Sequence, residues 1–578
     1  MLLTLIATRM KRIWGLILIT ILSHIALLGQ PADLYEPIAR YHADRGALER
    51  KYTLKETQEY YERINKHYTY WLNVLKSIDY KGLSGDGKVD YVLFKNRLER
   101  DQFLHNLRTE DFKQVQHVTS FAEDLYAFIR ARRRASPVTG AKEAALFHET
   151  EGKVRYALTQ LSPQNAFSSW MEAELASNVV KDLRLNLTEA WKFYFGYHPE
   201  FTWWTESAYK SLEKALGDYE EALKNHYTSQ LAKDDGSDIV GKPEGRKALI
   251  KRLQYEFIPY SPEELLAIGE KQFEWCTQEM IAASREMGFG NDWRAALEHV
   301  KDQYLPPGDL PATINKLAEE AIAFLEDNNL LTIPDMAKET WRMEMMSPEM
   351  QLINPFFLGG ERISISYPTN TMPHEAKLMS LRGNNPHFCM ATVHHELIAG
   401  HHLQGYMNQR YKPYRNQLGT PFWLEGWALY WEFLLYEKGL PKTPEDKMGF
   451  LFWRKHRAAR IIFSLRYHLE EMTPQECIDF LVNEVGHEQA NAEAEVRRSF
   501  TQRYDPLYQL AYMIGGIQFQ ALRAELVDSG KMTFREFHDK IMQQNNIPVE
   551  LLRAVLLEQD VNKTFKSTWR FAKGYNLE

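Results

Sequence analysis

The sequence predicts a mainly α-helical fold, a large multi-helix assembly with a small β element near residues 360–370. Three observations carry that expectation. Apolar residues recur at three- and four-residue spacings between charges over most of the chain after residue 31. One short segment switches instead to strict alternation. With 44% apolar and 13% aromatic residues in 578, the chain can bury a sizeable core and still line a deep cleft.

The first thirty residues differ from the rest. Lys11 and Arg12 precede an apolar run from Ile13 to Leu28, which meets Gly29, Gln30 and Pro31. A basic start, an apolar centre and a small-residue exit make residues 1–30 an export signal, and Met10 offers a second translation start. The run is interrupted by Ser23 and His24 and falls short of the ~20 apolar residues of a spanning helix. The mature chain is therefore expected in the periplasm or outside the cell, with no stable membrane association once the signal is removed. No cysteine follows the run closely, which argues against a lipid anchor.

Residues 31–578 read as one helical unit, with an N-terminal lobe 31–240 and a second lobe 241–578. The polar stretch Lys233-Asp-Asp-Gly-Ser-Asp238, followed by Gly241-Lys-Pro243, is the best internal break. Helical periodicity is clearest over Tyr52–Leu75, Ala141–Leu161 and Pro262–Met287. Ser261 before Pro262, Glu263 and Glu264 is a helix start with acidic residues in its first turn. Alternation runs from Arg362 to Tyr367 and ends at Pro368. A lone strand must pair, either within a small hairpin or sheet or with a peptide added at its edge.

Charge and cysteines narrow the function classes. A net charge of -7 without a Lys/Arg stripe excludes a nucleic-acid footprint and leaves a small molecule or peptide as the ligand. Cys276, Cys389 and Cys477 are too few and too scattered for a disulfide framework or a Cys-x-x-Cys metal site.

Residues 394–404 read His-His-Glu-Leu-Ile-Ala-Gly-His-His-Leu-Gln, placing four of the 19 histidines within nine residues. Imidazole is the commonest zinc donor, and a carboxylate beside a ligand is the usual general base of zinc hydrolases. The spacing is unusual. On a regular helix His395 and His401 point about 120° apart, while His395 and His402 share a face about 10.5 Å apart. A local loosening at Ala399-Gly400 would bring His401 beneath His395. Downstream, Glu425 and Glu432 lie in the apolar segment Trp423-Leu-Glu-Gly-Trp-Ala-Leu-Tyr-Trp-Glu432. A carboxylate there is costly unless paired or metal-bound. Glu425 is the candidate third ligand because Gly426 admits a close neighbouring backbone, and Glu432, on the same face, would orient a ligand. Tyr508 and Tyr512 share a face of a later helix, and a tyrosine hydroxyl there would donate to a developing oxyanion.

These segments together resemble the bacterial "domain of unknown function 885" proteins, a helical zinc-peptidase-like group. That group carries His-Glu-x-x-Pro-Gly-His-x-x-Gln, then Glu-Gly-Trp-Ala, then a late Tyr-Met/Lys-Ile-Gly. Here they stand as His395-Glu396-Leu-Ile-Ala-Gly400-His401-His402-Leu-Gln404, Glu425-Gly-Trp-Ala428 and Tyr512-Met-Ile-Gly515, and the resemblance spans roughly Ile239–Leu526. Ala399 replaces the proline, which removes no reacting group. The resemblance implies a metallopeptidase-like fold with a deep cleft, Zn²⁺ held by His395, His401 and Glu425, Glu396 as general base and Tyr512 as a helper. His402 is expected beside Tyr512 at the oxyanion. The function expected is hydrolysis of a short peptide or peptide-like amide. The alternative is an inactive exported binding protein that keeps the cleft.

Overall fold

Helix starts in this chain are written in its caps. Ser261 Oγ accepts the Glu264 N–H at 3.2 Å and the Glu264 carboxylate accepts the Ser261 N–H at 2.7 Å, the reciprocal box that begins helix α1, Pro262–Glu286. The computed structural model describes residues 33–573 apart from 162–166, 168, 231–234, 352, 353, 355, 357, 502 and 503. The expected export signal, residues 1–30 with Met10, lies outside the described residues.

The N-terminal helices Glu123–Arg132, Gly140–Gln160, Trp170–Tyr194 and Pro199–Gln230 enclose an apolar core that includes Phe147, Val179, Leu183 and Leu216. The helices before them bridge two cores. Ile38, Trp71 and Phe94 belong to the same core as Trp423, Trp427 and Tyr430 of the C-terminal half. The helix expected from Tyr52 begins only at Gln58, because Thr57 caps it and the Lys55 and Glu56 amides bond instead to Asp182. Around Gly241 the polar break packs tightly on Phe500 and Tyr467, and Ile239 joins a core with Phe388 and Trp453.

The remaining elements that matter here are α2 (Leu310–Asp327), α3 (Pro386–Glu396), α4 (His401–Asn408), α5 (Pro421–Glu437), α6 (Pro444–His468), α7 (Gln489–Phe500) and α8 (Tyr508–Arg523). Asn385 and Thr420 cap α3 and α5, each followed by proline at the first helical position. α3 is held among α2, α5 and α6, and α5 lies along α8.

The alternating segment forms β2, Arg362–Ile365, paired in parallel with β1, Arg342–Met345, in register Arg342↔Arg362 to Met345↔Ile365. The expected small sheet is thus formed within the protein, by a parallel partner of β2. On its other edge Ser364 exchanges two backbone hydrogen bonds with Leu358, at 2.8 and 3.0 Å. Among the described residues the three cysteines are unpaired and buried, and no helix is long and apolar enough to cross a membrane.

Candidate metal centre

The segment that carries the histidine cluster is two helices, not one. α3 ends at Glu396, the backbone turns over residues 397–400, and α4 begins at His401. Gly400 is required there: a Cβ on it would lie 1.8 Å from the His395 carbonyl oxygen. The turn is tied down from α5, where the Trp427 indole N–H donates to the Ala399 carbonyl at 2.8 Å. The turn therefore forms with alanine in the place of the family's proline.

This break turns His401 back onto His395, with ring centroids 4.8 Å apart and planes at 86°. Glu425 reaches both. Its Oε2 is 3.6 Å from His395 Nε2 and 3.3 Å from His401 Nε2. Glu425 owes its place to the crossing of α5 and α8, where Gly426 faces Gly515 so closely that a Cβ on Gly426 would lie 2.5 Å from Gly515 Cα. His395, Glu396 and His401 each offer a ligand atom within 4.8 Å of the others.

A further set of side chains orients these donors. His395 Nδ1–H donates to Glu432 Oε1 at 2.7 Å, and His401 Nδ1–H donates to Gln404 Oε1 at 2.9 Å. The Gln404 amide in turn donates to the Leu424 carbonyl at 3.0 Å. Both imidazoles are thereby held with Nε2 turned toward Glu425. The Tyr508 hydroxyl donates to Glu425 Oε1. Tyr512 stacks on His395 at 6.1 Å, with planes 16° apart. Glu396 sits at the cavity wall, its carbonyl accepting the Gly360 N–H at 3.2 Å, so the loop before β2 closes over it.

Electrostatics follow from burial and these contacts. Burial alone would discharge both imidazoles, but facing carboxylates outweigh it: His395 is raised by Glu425 and Glu432, and His401 is lifted to about 9 chiefly by Glu425. Glu425, opposed by burial and favoured by His401 and His395, is held well below the usual carboxylate range. Burial raises the Tyr512 hydroxyl and keeps it a donor. Oε2 of Glu425, ion-paired with both imidazoles, is buried without a hydrogen-bond partner. Two imidazole nitrogens and an orphaned carboxylate oxygen converging on one point fit a divalent cation.

Two histidines of the cluster stand elsewhere. His402 was expected at the oxyanion. Its Nε2–H instead donates to the Ala337 carbonyl at 2.7 Å, outside the cluster, because the residue after His401 on α4 is rotated by about 100°. His394 is buried on Phe450 and held down to about 4 by burial. Gln404 and Tyr508 belong to the site. Both were legible as residues, Gln404 within the motif and Tyr508 four before Tyr512, yet their bonds to His401 and Glu425 were not. Arg457 and Arg460, which with Arg498 line the cavity beside His395 and Glu396, were missed. The only sequence signal for these two was their i, i+3 spacing in a helix that mixes aromatic and basic residues.

Fold and site together define a class: a helical protein with a buried His-His-Glu centre assembled from a broken helix and the helix that follows it. Over residues 44–556 the chain matches the family described as "Bacterial protein of unknown function (DUF885)", and it belongs to that family. The match extends well beyond the motif-bearing stretch 239–526. No curated protein matches the sequence. Among solved structures, a candidate lipoprotein of unknown function from Shewanella oneidensis is similar over 91% of this chain and 100% of its own, with a TM-score of 0.67 and 16% identity. A candidate lipoprotein from Colwellia psychrerythraea is similar over 74% of this chain and 78% of its own, with a TM-score of 0.50 and 18% identity. At such identities the likeness establishes the helical fold.

Proposed function

We propose that the protein is an exported, zinc-dependent hydrolase of peptide or peptide-like amide bonds. The observation that carries this reading is the buried Glu425 Oε2, which has no hydrogen bond and lies 3.6 and 3.3 Å from the Nε2 atoms of His395 and His401. Donors about 2.0–2.1 Å from zinc at tetrahedral angles stand roughly 3.3–3.4 Å apart, equal to one of these separations and slightly below the other. Zinc bound by His395, His401 and Glu425 would supply Lewis acidity and lower the pKa of water at an open position.

The residues of the chain account for the rest. Glu396, next to His395 and open to the cavity, takes the proton from the attacking water and returns it to the leaving amine. Tyr512, kept protonated, donates to the oxyanion that develops on the carbonyl oxygen. Tyr508 fixes Glu425, while Glu432 and Gln404 fix the imidazoles. His402 has no part in this chemistry. The signal-like segment 1–30 and the lipoprotein descriptions of both structural neighbours support a periplasmic or secreted location. The substrate is a short peptide that can enter a narrow cavity.

Purified protein should contain one zinc per chain and cleave a peptide library in a chelator-sensitive way. Glu396→Gln should retain the metal and lose activity by about 10²–10⁴-fold. Unchanged turnover in that variant would falsify the assignment of Glu396, and stoichiometric zinc without any cleavage would leave an exported binding protein.

A further inference from the structure

Three arginines stand in the wall of the cavity that contains His395 and Glu396. Arg457 and Arg460 lie three residues apart on α6, and Arg498 comes from α7. Their side chains are 6, 3 and 10% exposed. A guanidinium so buried is costly unless its charge is answered.

The available answers are incomplete. Glu495 serves two of the three: Oε1 is 2.7 Å from Arg460 Nε, and its other oxygen bonds Arg498. Glu432 Oε1 lies 3.7 Å from Arg457 Nη2 but already accepts the His395 Nδ1–H at 2.7 Å. Two carboxylates therefore pair with three guanidiniums, one of the two shared with an imidazole, and Glu425, which also attracts Arg457 and Arg460, is already engaged by His395, His401 and Tyr508. Arg457 Nε, Arg460 Nη1 and Arg498 Nε are each buried without a hydrogen-bond partner.

Tyr512 links this wall to the metal centre. Its ring stacks on His395 and carries the guanidinium carbons of Arg460 at 4.3 Å and Arg457 at 4.9 Å. Phe356, Phe388 and Trp453 line the same cavity with apolar surface. Its free volume is about 60 Å³, roughly four to six water positions, which suits a terminal group better than a continuing chain.

We infer that the arginine wall binds a free α-carboxylate on the leaving side of the scissile amide, with an apolar side chain against Phe356, Phe388 and Trp453. This rests on the hydrolase reading above and gives it a substrate class: an amide whose leaving amine is an amino acid with a free carboxylate. Water adds across the bond. The C–N bond breaks, a C–O bond forms on the acyl side, and the nitrogen leaves with a proton as the free amino acid. Guanidinium forks match a carboxylate and discriminate strongly against its neutral amide. Two sources share this chemistry, peptide C-termini and N-acylated amino acids.

Binding tests the clamp apart from catalysis. Calorimetric titration of the protein, as purified and after chelation, should detect 3-phenylpropanoate binding at least tenfold tighter than 3-phenylpropanamide. Arg498→Gln should erase that preference and Arg498→Lys restore part of it. Because acid and amide are compared within one sample, a partly folded variant does not distort the ratio. Equal binding of the two, or a preference that survives Arg498→Gln, overturns the clamp while leaving the hydrolase reading intact. An intact preference without any cleavage does the reverse. Turnover then separates the sources. Benzoyl-Gly-Phe cleaved in preference to benzoyl-Phe assigns peptide C-termini, and the opposite order assigns acylated amino acids. In either case a C-terminal amide that reacts as fast as the acid ends the proposal.

Discussion

Around Leu183 the most deeply buried polar side chains are hydroxyls such as Thr150 and Thr205, at 1 and 0% exposure, and the carboxyl of Glu143 is buried to 8%. Around His395 they are Glu425, Glu432, Glu495, Arg457 and Arg460, all at 5% exposure or less. The N-terminal layer is thus an ordinary apolar core, stabilised by removing side chains such as Phe147 and Leu183 from water. The helices around the His395–His401–Glu425 cluster hold charges that would be far more stable in water. Such charges persist only because each is tied to others in one network.

The largest expected effect belongs to the apolar layer. Leu183→Ala should cost about 2–5 kcal/mol of unfolding free energy in denaturant while leaving metal content per folded molecule unchanged. Loss of metal along with stability would mean that the two regions are not separable.

Acid should act on the other region. Glu495 is penalised by burial, yet Arg460 and Arg498 outweigh that and hold it down to about 2, from an ordinary 4.5. A depressed carboxylate contributes stability above its unfolded value and loses it as the pH falls toward the folded one, here between 4.5 and 2. The loss amounts to roughly 3 kcal/mol. Denaturation curves over that window should show it in the native chain and less of it in Glu495→Gln. Identical slopes in the two proteins would remove Glu495 from the account.

The helix crossing comes next. A Cβ on Gly515 would lie 2.2 Å from the Phe422 carbonyl oxygen. Gly515→Ala should therefore destabilise the protein by about 1–3 kcal/mol and, by displacing Glu425, weaken metal binding as well. Metal affinity unchanged in a destabilised variant would show that the crossing does not set the carboxylate's place. The smallest effect is on orientation: Glu432→Gln should lower metal affinity about 10–100-fold in competition titrations.

Much of this was legible in particular residues. Ser261-Pro262-x-Glu264 marks the start of a helix because a cap is a contact among residues three apart. The alternation ending at Pro368 marks β2, since side-chain period follows from local backbone geometry. The donor types were legible too, as histidines and carboxylates crowded into apolar helices. Other features were not. The periodicity from Tyr52 continued past the true start at Gln58 because Asp182, far along the chain, takes the Lys55 and Glu56 amides.

The sequence by itself determined the helices, their caps and the kinds of side chain that converge. Tertiary structure alone decided that His401 and not His402 turns inward, that β1 is the parallel neighbour of β2, and that arginines from two helices share one cavity wall with His395. The physical reason is range. Caps and periodicity act within a turn of chain, whereas the direction of a side chain across a helix break depends on what the broken ends pack against, here the Trp427 indole and the close meeting of Gly426 with Gly515.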